Sequence, residues 1–169
     1  MTSPTDPVAI VTGGSSAIGR EVARALALRG YAIVVVYLDN HSRAEAAVEE
    51  ILGARGAAVA VRADLTDDLD AERLFAESIA AFGGVDVVAH TTVRGTSVLY
   101  RHAARQLRHG AAIVSVSGAE GITPSLAQEL RERDITINGL PPGLEPPRGR
   151  QEVADLIRCL DRWRRRPVD

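Results

Sequence analysis

The sequence predicts an α/β protein built on a doubly wound parallel sheet. Short apolar runs rich in β-branched residues alternate with amphipathic helical patterns along the 169-residue chain. Several of the strand-like runs are apolar at every position, which is typical of strands that helices cover on both faces. The first run, Val8–Thr12, leads directly into a turn of Gly and Ser residues and then into a helix. That arrangement is typical of the first unit of a nucleotide-binding sheet.

Strands and helices follow one another in strict alternation. Strands are predicted at residues 8–12, 33–37, 57–62, 85–89, 111–116 and 135–140. Helices are predicted at residues 18–30, 42–54, 67–82, 96–109, 124–133 and 151–162. These elements predict a three-layer, Rossmann-like sheet of strand order 3-2-1-4-5-6. A ligand is then expected at the carboxyl edge, beside the switch between strands one and four.

Length and composition exclude several classes of protein. The length predicts a single domain over residues 8–163, between a disordered lead at 1–7 and a basic tail at 164–169. A net charge of −2 argues against a nucleic-acid partner, and no apolar run approaches the ~18 residues of a membrane helix. The lone Cys159 cannot form an internal disulfide and the start of the chain is not a secretory signal. We therefore expect a cytoplasmic protein, and no metal site is predicted.

Residues 12–19, Thr-Gly-Gly-Ser-Ser-Ala-Ile-Gly, form the expected phosphate turn. Free backbone N–H groups and the positive end of the helix dipole both favour an anion at such a place. Gly13 allows the sharp turn, and Gly19 allows the helix to lie close to the strand.

The spacing of this turn resembles the Thr-Gly-x-x-x-Gly-x-Gly fingerprint of the short-chain dehydrogenase/reductase family, with Ala17 at one glycine position. Three other segments resemble the family in order: 84–88 at strand four, 135–143 with its Pro-Gly pair, and 150–154 in the last helix. The residue after strand three, Asp64, resembles the family aspartate that holds the adenine amino group. The resemblance implies that a dinucleotide contacts the following residues: Thr12, Gly13, Ser15, Ser16, Ile18, Gly19, Tyr37, Asp64, Leu65, Pro142 and Gly143.

The end of strand two indicates the cofactor. NAD-using members of the family place an acidic residue there, whereas this chain has Tyr37, which favours NADP(H) over NAD(H). Arg43 could serve a 2′-phosphate or could be a solvated helix residue, and Asp39 would repel a phosphate. If the methyl group of Ala17 closes the turn to a pyrophosphate, no cofactor binds.

The family's catalytic residues have no counterpart in this sequence. The resemblance implies a Tyr-x-x-x-Lys pair after strand five, but the chain has no Lys, and its tyrosines are Tyr31, Tyr37 and Tyr100. Gly118 stands where the family has its catalytic Ser, with Ser117 one residue earlier. Residues 90–93, His-Thr-Thr-Val, replace an Asn-Asn-Ala-Gly segment. The remaining candidates are Ser117 and His90, the latter expected in the loop after strand four.

Three hypotheses for function follow. The chain is an NAD(P)-linked carbonyl or alcohol oxidoreductase with an altered site, a catalytically silent partner subunit of an active homologue, or a non-redox cyclase or dehydratase that reuses the cleft. The sixth strand has no further neighbour in the predicted order and exposes an edge. A homo-oligomer or a hetero-oligomer with a related chain is therefore expected.

Overall fold

The computed structural model describes residues 6–116, 120–139 and 149–164. The strands are β1 (Val8–Thr12), β2 (Ala32–Tyr37), β3 (Ala58–Arg62), β4 (Val87–His90), β5 (Ala112–Ser115) and β6 (Thr136–Gly139). The helices are α1 (Ala17–Ala27), α2 (His41–Gly53), α3 (Asp68–Phe82), α4 (Thr96–Gln106), α5 (Pro124–Glu132) and α6 (Gly149–Arg164). The alternation of strands and helices predicted from the sequence is confirmed.

The strands form a parallel sheet of order β3-β2-β1-β4-β5-β6, which confirms the predicted topology. In the register of the sheet, Ala9 of β1 lies between Ile33 of β2 and Val87 of β4. At the carboxyl end of β1, Thr12 lies beside His90 of β4. The switch between β1 and β4 therefore brings the phosphate turn next to the loop after β4.

Successive side chains of each strand point to opposite faces of the sheet and pack into two separate hydrophobic cores. Val8 and Ile10 point to the layer of α3, α4 and α5, which contributes apolar residues such as Phe75 and Leu99. Ala9, Val11 and their neighbours on the other face pack against α1, α2 and α6. All five residues of β1 are buried, as expected for a central strand covered on both faces.

Side-chain caps fix the starts of four helices. Ser16, Asn40, Asp67 and Thr123 each accept a hydrogen bond from a backbone N–H group in the first turn of α1, α2, α3 and α5. Helix α4 differs, because it follows Gly95 in the left-handed conformation (φ 72°) and has no side-chain cap. A Cβ atom on Gly95 would lie 2.2 Å from the carbonyl oxygen of Leu65, so the loop after β4 lies directly against the loop after β3.

Several predicted boundaries move by a few residues. Strand β4 begins at Val87 rather than at residue 85, and just before it the Asp86 carboxylate accepts hydrogen bonds from the Val8 N–H (2.8 Å) and Arg108 (2.8 Å). Helix α4 ends at Gln106 rather than at residue 109, because Leu107 is extended and the next N–H group donates to the carbonyl of Val85.

The margins of the predicted domain are described only in part. Pro7, at the end of the expected lead, accepts a hydrogen bond on its carbonyl from the N–H of Ala32 (2.8 Å). Helix α6 runs to Arg164, the first residue of the expected tail, and residues 165–169 lie outside the described part of the chain. Among the described residues, no helix combines the length and apolar character needed to cross a bilayer.

Candidate functional site

The phosphate turn, residues 12–19, is tightly folded. Gly13 is left-handed (φ 64°), and a Cβ atom there would lie 2.8 Å from the hydroxyl oxygen of Thr91. A Cβ atom on Gly19 would lie 2.1 Å from the carbonyl oxygen of Gly13, so only glycine lets α1 approach the backbone directly after β1 this closely. The roles predicted for both glycines therefore match the backbone geometry.

The turn presents unpaired backbone donors at the start of α1. The N–H groups of Gly14, Ser16 and Gly19 donate within the protein, to Val36 O, Gly13 O and the Ser16 hydroxyl. Within the described ranges, the N–H groups of Ser15, Ala17 and Ile18 have no acceptor. Ala17 is exposed and has a negative φ, so the missing glycine is not required by the conformation of the turn. Three free donors at a helix N-terminus suit an anion such as a pyrophosphate.

A cavity of about 210 Å³ opens beside this turn. Loops at the carboxyl ends of four adjacent strands form it, and we refer to it as the carboxyl-edge cavity. Its lining consists of Gly13 and Ser15 after β1, residues 36–40 at the end of β2, residues 63–65 after β3, and Thr92 and Arg94 after β4. Five of the predicted cofactor residues, Gly13, Ser15, Tyr37, Asp64 and Leu65, therefore meet at one place.

Other predicted residues lie outside this lining or outside the described part of the chain. Thr12, Ser16, Ile18 and Gly19 build the turn without lining the cavity. Pro142, Gly143 and Ser117 fall in segments that the structure does not describe.

The carboxylate of Asp64 is fixed by its own loop. Its Oδ1 accepts hydrogen bonds from the N–H (3.0 Å) and the hydroxyl (2.7 Å) of Thr66, and these bonds hold the pKa of Asp64 below its usual value. The positive charges of Arg94 and Arg62 act in the same direction. Asp64 is therefore an ionised acceptor at the wall of the cavity.

The side chain of His90 does not lie in a loop, contrary to the sequence-based expectation. It is the last residue of β4 and is fully buried. Its Nδ1 lies 2.8 Å from the hydroxyl of Thr12, and its Nε2 lies 3.0 Å from the hydroxyl of Thr96. The ring also meets Tyr100 edge to face, with 6.0 Å between the ring centroids. Pairing inside the sheet register explains the difference, because Thr12 and His90 are direct neighbours across β1 and β4.

The hydrogen-bond directions define the tautomer of His90. Thr96 donates its hydroxyl proton to the carbonyl of Val93 (3.1 Å), so it must accept from Nε2–H of His90. Nδ1 is then unprotonated and accepts from the hydroxyl of Thr12, which itself accepts from the N–H of Thr91 (3.2 Å). Burial lowers the pKa of His90 from 6.5 to about 4, which agrees with this neutral ring. This series of hydrogen bonds links the phosphate turn to the start of α4.

None of the three tyrosines belongs to a segment after β5. Tyr31 and Tyr100 are buried, and burial raises the pKa of Tyr100 although a hydrogen bond with Ser115 opposes that shift. Tyr37 is half-buried in the lining of the carboxyl-edge cavity. The three side chains therefore lie at or beside β2 and on α4.

Sequence reasoning missed part of the cavity wall. Leu38, Asn40, Ala63 and Arg94 line it, although no motif marks them. Arg43, the cation considered from the sequence, is an exposed residue of α2 outside this lining. The cationic residue of the lining is Arg94, and it is recognised only once the four loops have been brought together by the fold.

Comparison with known proteins agrees with the fold. A model of the short chain dehydrogenase family matches residues 7–108. An uncharacterised oxidoreductase of Methylorubrum extorquens is 30% identical over 178 residues, which span 80% of this chain and 72% of the relative. A hydroxynaphthalene reductase-like protein of Metarhizium robertsii is 29% identical over 184 residues, spanning 83% and 69% of the two chains. Since both alignments are longer than the 169-residue chain, the relatives carry internal residues that this chain lacks.

Solved structures give the same result. A dehydrogenase/reductase from Sinorhizobium meliloti superposes with a TM-score of 0.67 at 33% identity, covering 79% of this chain and 70% of that one. A short chain dehydrogenase from Burkholderia cenocepacia, solved in complex with NADP, superposes with a TM-score of 0.69 at 26% identity, covering 90% and 81%. With its sheet order, phosphate turn and matched relatives, this chain belongs to the short-chain dehydrogenase/reductase family of oxidoreductases.

Proposed function

We propose that this chain binds NADP(H) in the carboxyl-edge cavity and that its own residues do not complete carbonyl reduction. The observation that carries the binding part is the set of free N–H groups on Ser15, Ala17 and Ile18 in the phosphate turn, of which Ser15 lines that cavity. The NADP complex of the Burkholderia cenocepacia relative supports the same cofactor class.

In this proposal each part of the site has a defined role. The three free N–H groups hold the pyrophosphate, and the ionised Asp64 accepts a hydrogen bond from the adenine amino group. Tyr37, at the end of β2, faces the adenosine ribose and has no charge that would repel a 2′-phosphate. When bound, the reduced dinucleotide would supply a hydride to a carbonyl, and the oxidised dinucleotide would accept one from an alcohol.

The site lacks an evident proton donor for the carbonyl oxygen among its described residues. Reduction of a carbonyl needs a proton donor beside the oxygen, and loss of a general acid costs ~10²–10⁴ in rate. The sequence contains no Lys to lower the pKa of a tyrosine, and Tyr100 and His90 are fully buried. His90 has both ring nitrogens paired with threonine hydroxyls, which favours a structural role over acid–base work.

A second candidate function is that of a partner subunit beside an active homologue. It is favoured by the exposed edge of the sheet, since β6 pairs only with β5 in the described part of the chain. The third hypothesis, a non-redox cyclase or dehydratase, gains less support because the phosphate turn and Asp64 are both in place.

The test combines binding and turnover in one titration. We expect enhanced NADPH fluorescence on addition of the protein, with no loss of absorbance at the nicotinamide band over a panel of ketones and aldehydes. Oxidation of NADPH by the purified chain alone would contradict the catalytic part of the proposal, and absence of any fluorescence change would contradict the binding part. Turnover that returns on addition of a related active chain would support the partner subunit.

A further inference from the structure

The carboxyl-edge cavity contains one cationic side chain among its described lining residues, that of Arg94. Arg94 lies in the short loop between β4 and α4, and its backbone N–H donates to the hydroxyl of Thr92 (3.2 Å). Its guanidinium has no hydrogen bond or ion pair with another described residue. All five of its N–H donors are therefore available to a ligand.

The charges around Arg94 suit an anionic ligand group rather than an internal ion pair. Asp64 is close enough for the guanidinium to stabilise its charge, but both local donors of Thr66 already hold that carboxylate. Asp39 lines the same cavity and adds a second negative charge. Without Arg94, Asp39 and Asp64 would be the charged side chains of the described lining, and their negative charges would repel a phosphate.

We propose, on the basis of the function proposed above, that Arg94 binds the 2′-phosphate of NADP(H) and sets the preference for it over NAD(H). Arg94 shares the cavity with Tyr37 and Asp39 at the end of β2, where the adenosine ribose is expected. A guanidinium matches phosphate with paired, charge-assisted hydrogen bonds. Arg43 does not line this cavity and does not take this role.

The test compares Arg94→Gln with the matched control Arg43→Gln. Both side chains are exposed and make no hydrogen bond with another described residue, so both variants are expected to fold. Calorimetric titrations with NADP⁺ and NAD⁺ give the two dissociation constants for each protein. We expect Arg94→Gln to weaken NADP⁺ binding by about tenfold or more while NAD⁺ binding changes by less than about twofold. Arg43→Gln should change neither.

A third variant tests the effect of the negative charge of Asp39, which lies in the same lining as Arg94. Asp39→Asn should strengthen NADP⁺ binding several-fold and leave the effect of Arg94→Gln in place, since it removes a repulsion and no contact to phosphate.

Several results would overturn the role of Arg94. They are an equal loss of NADP⁺ and NAD⁺ binding in Arg94→Gln, no loss of either, or a loss confined to Arg43→Gln. Failure of the wild-type protein to bind NADP⁺ or NAD⁺ is a different outcome, because it rejects the dinucleotide site itself. If the wild type binds NAD⁺ but not NADP⁺, the dinucleotide site stands and the role of Arg94 is rejected.

Discussion

At the scale of single residues, His90 has the most sharply defined environment. Its neutral ring joins Thr12 at the phosphate turn to Thr96 at the start of α4. In this series of hydrogen bonds, each of the two hydroxyl groups donates its single proton once. A protonated ring would carry a second N–H donor toward a hydroxyl that is already donating. The folded state therefore disfavours the imidazolium.

This environment makes stability depend on pH. The pKa of His90 is about 4 in the folded state, against 6.5 for the unconstrained side chain. A lowered histidine pKa contributes stability that is complete above pH 6.5 and is lost as the pH falls toward 4. At about 1.4 kcal/mol for each pH unit, the free energy of unfolding should fall by about 3 kcal/mol over that window.

The measurement is urea unfolding of the wild type and of His90→Asn at several pH values. Asparagine cannot gain a proton in this range, so the stability difference between the two proteins should shrink as the medium becomes more acidic. A difference that stays constant from neutral pH to pH 4 would contradict the neutral, proton-ordered ring.

At the scale of elements, Arg133 joins two helices through backbone carbonyls. It follows α5, and its guanidinium donates to the carbonyl of Ala104 (2.7 Å) and to that of Leu107, at the end of α4. These carbonyls belong to the last turn of a helix and lack intrahelical partners. The interaction therefore closes the C-terminus of α4 and fixes α5 against it.

Replacement of Arg133 by Met should destabilise the protein by about 1–3 kcal/mol, because two part-buried carbonyls lose a charged donor. Arg131→Met is the matched control, since Arg131 is an exposed residue of the last turn of α5 and its side chain makes no hydrogen bond within the described residues. Chemical denaturation of both variants gives the comparison. Equal stabilities of the two variants would exclude the proposed role of Arg133.

The helices and strands also show which features the sequence predicts and which it does not. Periodicity and turn residues define the strands, the helices and the phosphate turn, because these depend on near neighbours in the chain. The hydrogen bond that Asp86 accepts from the Val8 N–H and the pairing of His90 with Thr12 each join residues 78 positions apart, so neither leaves a periodic signal in the sequence. Arg94 has no local signal at all, because its position in the cavity results from the meeting of four loops.

At the scale of the whole molecule, the edge of the sheet determines the expected assembly. In the described part of the chain, β6 has one neighbour, β5, and its residues are half-buried or exposed. An unpaired edge of this kind is normally covered or paired. We expect a homodimer, or a hetero-oligomer with a related chain. Light scattering at micromolar concentration checks this, and a monomeric mass together with no capture of a related chain would contradict it.

The proposed function of the whole molecule requires that the phosphate turn still holds a dinucleotide. Ala17 offers a direct way to test it, since this exposed residue is the first of α1 and its N–H group is free. A carboxylate at this position should stabilise the helix by about 0.3–1 kcal/mol. The same carboxylate would add a negative charge to the turn that is proposed to hold the pyrophosphate and would repel it.

The most direct measurement is therefore a calorimetric titration of NADPH into the wild type, Ala17→Asp and Ala17→Gly. We predict binding by the wild type and by Ala17→Gly, and a loss of at least about tenfold in Ala17→Asp, although that variant unfolds at the same or a higher temperature. The wild type should also gain ~2.7 kcal/mol of stability at a ligand concentration 100 times the dissociation constant. Unchanged affinity in Ala17→Asp, or no binding by the wild type, would contradict a dinucleotide site at this turn.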